Sequence, residues 1–153
     1  FRAYHSPMIA QTIQLALAPV FVLVAIGNFM NVLTGRLGRI VDRSRHLQSL
    51  HTDTQGMDHD AVVRELRSVD HRIKLINRAI LFLVVGGIII ALTVGLLFVE
   101  GLMGFDMEGL ISATFFGAVL LLVAALITFL RETRIATADL RIPETFLELD
   151  RKL

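Results

Sequence analysis

The chain has 153 residues, 54% of them apolar, with a mean hydropathy of +0.67 and a formal net charge of +1. There is no cysteine, which excludes disulfides, thiolate metal sites and thiol catalysis. The length allows one domain, and most of its apolar surface is expected to face lipid rather than a soluble core.

Three apolar runs set the class: 9–33, 79–99 and 110–130. The last two hold 21 residues each without Asp, Glu, Lys, Arg or His. At 1.5 Å of rise per residue each covers about 31 Å, the hydrocarbon thickness of a bilayer. Lipid offers the backbone no hydrogen bonds, so such runs are predicted to be helices. The fold class expected is all-α and integral to the membrane, with three transmembrane helices. Phe1–Pro7 holds one Arg and no separate apolar segment, so no cleavable signal is expected. The opening at Phe1 rather than Met leads to the expectation that a few residues precede it.

The first run differs from the others. It contains Gln11, Gln14, Pro19, Asn28 and Asn31. Pro19 leaves the Leu15 carbonyl without its usual donor and predicts a bend. At heptad spacing Gln11, Gln14, Ala18, Phe21, Ala25 and Asn28 share a seam of mostly small or polar residues, which should face protein or water rather than lipid. The amides fit hydrogen bonds between helices. They equally fit a hydrated path around an oligomer axis, with Phe21 as an apolar constriction.

Segment 35–78 carries nine basic residues against six acidic ones. Leu33, Leu37, Ile40, Leu47 and Leu50 continue an apolar stripe beyond the first run. His51–His59 reads as a polar turn, with Asp60 as the N-cap of the next helix. Val62, Leu66, Val69, Ile73, Ile76 and Ile80 then form a coiled-coil-like seam leading into the second run. The segment therefore reads as an antiparallel helical hairpin extending helices one and two.

Arg39, Asp42, Arg43 and Arg45 face Arg72, Asn77 and Arg78 across that hairpin, the densest polar cluster in the chain. It fits a salt-bridged knot with headgroup anchoring, or a gate or anion site at the mouth of the bundle. His51, Asp53, Asp58, His59 and Asp60 are suitable metal ligands by type, but a polar hairpin tip has this composition by default, and no metal or cofactor is expected.

In the second run Gly87, Ala91 and Gly95 form a small-residue ladder for close helix approach. Ala113, Gly117, Ala124 and Thr128 make a weaker one in the third. The link 100–109 carries Glu100, Asp106 and Glu108 and no basic residue; these acids enrich cations or simply solvate a turn. The tail 131–153 is a basic flank through Arg131, Arg134, Arg141, Arg151 and Lys152, with helix three expected to extend to Pro143. By the positive-inside rule 35–78 and the tail are cytoplasmic and 100–109 is outside, which places the N-terminus out and the C-terminus in.

The stretches Ser6–Pro19, Leu33–Arg45 and Arg72–Ile80 resemble the bacterial membrane proteins grouped as domain of unknown function 2721. The resemblance runs from Ser6 to about Ile142 and implies a small helical protein of the inner membrane. It implies no activity.

Basic residues interleaved with carboxylates at membrane ends suit anionic headgroups rather than nucleic acid. There is no phosphate loop or nucleophile elbow, and the second and third runs hold no ionisable residue, so no enzyme, proton pump or haem carrier is expected. Two function classes follow. One is a homo-oligomeric pore for small ions, the cations its outer acids would attract, lined by helix one; the other is a non-conducting accessory or scaffold subunit of a larger membrane complex.

Overall fold

A computed structural model of the chain describes residues 5–140, with side chains from Met8 onward. The described residues form three helices and no strand: α1 (His5–Asp53), α2 (Met57–Met103) and α3 (Glu108–Asp139). All three are long and apolar enough to cross a membrane. The 49 residues of α1 correspond to about 74 Å, well over twice a hydrocarbon core, so α1 and α2 continue past their apolar runs.

Both α1 and α3 pack along α2, which is antiparallel to each. Heptad stripes explain the contacts. On α1, Ile26, Leu33, Ile40 and Leu47 are buried; on α2, Val69, Ile76, Leu83 and Ile90 meet them. Val62, Leu66, Ile73 and Ile80 pack against the same core, as their spacing predicts. This α1–α2 seam continues to the 54–56 turn, so the two helices remain paired beyond the apolar runs. Pro19 lies inside the continuous α1, on its buried side.

A second stripe on α2 faces α3. Ala79, Gly86 and Thr93 are buried, opposite Ala118 and Ala125. A Cβ on Gly86 would lie 3.6 Å from Leu121 and 3.7 Å from the Ala118 carbonyl. The predicted ladder Gly87, Ala91, Gly95 is not the one used against α3. Gly87 instead lies under Leu23 and Ile26 of α1, Ala91 is exposed, and a Cβ on Gly95 would meet nothing within 4 Å. One residue is a 100° rotation on a helix, so only the observed register distinguishes Gly86 from Gly87.

The turn between α1 and α2 is also shorter than predicted, at Thr54–Gly56. Gly56 adopts φ 69°, which reverses the chain in so little space, and α2 begins at once at Met57. Asp60 therefore lies in the first turn beside Asp58 rather than at the N-cap, and both favour the positive end of the helix dipole. At the other end Gly104 (φ 70°) caps α2, its N–H donating to the Glu100 carbonyl. The link to α3 is Gly104–Met107, with Glu100 still helical. Asp139 ends α3, and Pro143 lies outside the described residues.

Candidate functional site

The most buried charge in the fold is Glu132 of α3, whose side chain is 0% exposed. Arg36 of α1 donates to its Oε2 from Nε at 3.1 Å and from Nη2 at 2.8 Å. Arg72 of α2 donates to Oε1 from Nε at 3.1 Å. Both carboxylate oxygens are thus occupied by charge-assisted bonds, which a buried carboxylate requires. The Arg36 guanidinium also sits 5.3 Å from the centre of the Phe129 ring, a cation–π contact that holds it in place.

The local sequence explains the meeting point. Arg36 lies three residues past the first apolar run and Glu132 two past the third, while Arg72 precedes the second by seven. With α1 and α3 running one way and α2 the other, all three reach the same level at one end of the apolar slab. Glu132 continues the buried α3 stripe of Ala118 and Ala125 at seven-residue spacing, and Arg72 continues the α2 stripe of Ala79, Gly86 and Thr93. That register was a usable signal. In the sequence Arg131 and Arg134 mask Glu132 as part of a basic flank.

One turn beyond this clasp the three helices enclose an open recess of about 300 Å³. Arg36, Arg39 and Arg43 of α1 line it with Arg72 of α2, while Ala136 and Leu140 of α3 close the far side. It joins a larger groove of about 760 Å³ between α2 and the end of α3. There Arg43 pairs with Glu65 at 2.7 Å, both about half exposed, and Ser68 donates to Asp139.

Of the predicted polar cluster, the recess thus unites Arg39, Arg43 and Arg72. Asp42, Arg45, Asn77 and Arg78 are exposed and make no side-chain hydrogen bond or ion pair among the described residues. The partner of Arg72 is Glu132, not Asp42.

The predicted α1 seam lies outside the helical core. Gln11, Gln14, Ala18, Phe21, Asn28 and Asn31 are all exposed, Phe21 at 69%, and Ala25 is half-buried. At the loop end, Gln11 and Thr12 border a recess of about 330 Å³ with Glu100, Asp106 and Glu108. Glu100 is partly buried and accepts from the Met107 N–H at 3.1 Å, a structural duty, while Asp106 and Glu108 are exposed. Among the described residues no three His, Asp or Glu side chains gather as metal ligands; the His51 and His59 rings meet at 4.4 Å, tilted by 55°, at the hairpin tip.

Residues 16–142 match the family described as "Protein of unknown function (DUF2721)". The chain belongs to this family. The match takes in the whole clasp, Arg36, Arg72 and Glu132, and begins after Gln11 and Gln14. No curated protein and no solved structure matches the chain. Membership in DUF2721 agrees with the resemblance carried by Leu33–Arg45 and Arg72–Ile80, while Ser6–Leu15 lies outside the matched residues.

Proposed function

We propose that this protein assembles with copies of itself in a bacterial inner membrane, with α1 towards the shared axis, and provides a path for small cations. The supporting observation is the exposed face of Gln11, Gln14, Asn28 and Asn31 on a helix apolar enough to lie in lipid. Amides facing hydrocarbon cost free energy, and a neighbouring helix or water removes that cost. Phe21 on the same face is the constriction, and Glu100, Asp106 and Glu108 attract cations at the outer mouth. The charge distribution supports an external N-terminus, an internal C-terminus and an internal α1–α2 hairpin.

The test is ion flux into proteoliposomes at verified oligomeric state. Phe21→Ser should raise flux by wetting the constriction, and Asn28→Leu should lower it. A defined oligomer that passes no ions in either wild-type or Phe21→Ser form overturns the pore reading. A second reading then takes its place, that of an accessory or scaffold subunit. Its support is the paired extension of α1 and α2, whose exposed Arg45, Arg64 and Arg67 suit a partner in a larger membrane complex.

A further inference from the structure

We propose that the arginine recess beneath the Glu132 clasp is a binding site for a phosphate ester. The site is independent of whether the assembly conducts ions. Four arginines, Arg36, Arg39, Arg43 and Arg72, line one recess of about 300 Å³. Two carboxylates answer them: Glu132 between Arg36 and Arg72, and Glu65 on Arg43. A positive excess therefore remains, and Arg39 has no carboxylate partner among the described residues. Its Nη1 folds back to 3.8 Å from the point a Cβ on Gly35 would occupy.

Preorganisation separates this recess from an ordinary basic surface. Glu132 is fully buried and fixes Arg36 and Arg72, whose side chains are only 25% and 20% exposed. Guanidinium groups held in place lose little freedom when a ligand arrives, and their planar forks match phosphate oxygens. A soluble carboxylate offers fewer acceptor oxygens to four arginines, so phosphate is the better fit. The recess also lies just beyond the ends of the apolar runs, at headgroup depth, where basic pockets between helices take phospholipid headgroups. Ile40, Val69, Ala136 and Leu140 give it apolar walls suited to the first methylenes of an acyl chain. A lipid headgroup and a soluble phosphate ester share this chemistry.

The experiment uses the full chain purified in neutral detergent and titrated with mixed micelles of phosphatidylglycerol or phosphatidylcholine. A third titration uses inorganic phosphate, and native mass spectrometry counts the bound ligand. Phosphatidylglycerol should bind in preference to phosphatidylcholine, whose choline cation is repelled by the recess. Arg39→Gln should weaken binding about ten-fold, the effect of one charge-assisted contact. Arg39→Lys should fall between, keeping charge but losing the fork. Arg131→Gln, an exposed arginine on the same end of α3, should change nothing. Binding of the lipid alone identifies a headgroup site, and inorganic phosphate binding that Arg39→Gln weakens by that factor identifies a soluble ester. Equal losses in Arg39→Gln and Arg131→Gln overturn the proposal, as does a protein that neither prefers phosphatidylglycerol nor binds phosphate.

Discussion

Arg36 and Glu132 stand 96 residues apart in the chain and are joined by two hydrogen bonds, both to Glu132 Oε2. They tie α1 to α3, two helices that each pack along α2. Arg72, from α2 itself, holds the other oxygen, so a single carboxylate fastens all three helices at one level.

The clasp should be asymmetric to mutation. Replacing Glu132 by Gln leaves two arginines that are already partly exposed and can turn to water or headgroups. Replacing Arg36 and Arg72 together by Leu leaves the Glu132 carboxylate buried with no cation. Breaking a buried pair in that sense costs about 3–5 kcal/mol. Thermal unfolding in mild detergent should therefore show a much larger drop for the double arginine variant than for Glu132→Gln. Equal melting temperatures would mean that Glu132 reaches water without its partners.

Close approach at the loop end makes a separate prediction. A Cβ on Gly101 would lie 2.6 Å from Thr12 Oγ1, so Gly101→Ala must either turn that hydroxyl away from the Met8 carbonyl it bonds or part α1 from α2. The overpacking should cost about 1–3 kcal/mol. Thr12→Ala removes the obstructing atoms, and the pair Gly101→Ala with Thr12→Ala should recover most of that loss. Gly95→Ala, with nothing within 4 Å, should be neutral or slightly stabilising. A double variant no better than Gly101→Ala alone would show that Thr12 is not what the glycine accommodates.

Between α2 and α3 the Thr93 and Thr114 hydroxyls lie 2.9 Å apart. The Ile89 and Ile111 carbonyls are also within bonding distance, so two protons serve three contacts. Removing one hydroxyl leaves its neighbour an intrahelical acceptor. Thr93→Val should thus cost only about 0.6 kcal/mol, the usual size of a polar contact between membrane helices. A loss several times larger, measured by unfolding in detergent, would make this bond a principal determinant of the helix pair.

Orientation is testable because the chain has no cysteine. Gln55 and Phe105 are exposed at opposite ends of the bundle and avoid the left-handed Gly56 and Gly104, where a side chain would be strained. An impermeant thiol reagent applied to intact spheroplasts should label Phe105→Cys and spare Gln55→Cys. Labelling only at position 55 would invert the proposed topology.

Self-association has its own variant. Ala25 is half-buried on the exposed α1 face, between Phe21 and Asn28. If that face meets a second copy, Ala25→Leu overpacks the contact by about 1–3 kcal/mol and shifts the oligomer towards monomer on size exclusion. Wild-type protein that is already monomeric at low detergent would remove the basis for the assembly.

The three helices were legible in the residues themselves, though not where each one ends. An apolar run long enough to cross lipid has to satisfy its own backbone, so 79–99 and 110–130 leave no alternative to helix. The stripes from Leu33 to Leu50 and from Val62 to Ile80 are equally local, since a heptad is read from neighbouring residues. Which glycine approaches α3 depended instead on rotation about the α2 axis, which Gly86 and Gly87 do not reveal as adjacent letters. Glu132 shows the limit most clearly. Beside Arg131 and Arg134 it has the look of a solvated flank, and its partners lie 96 and 60 residues away. Charge pairing acts through space, so only the packing of α1 and α3 on α2 could make this carboxylate the buried centre of the bundle.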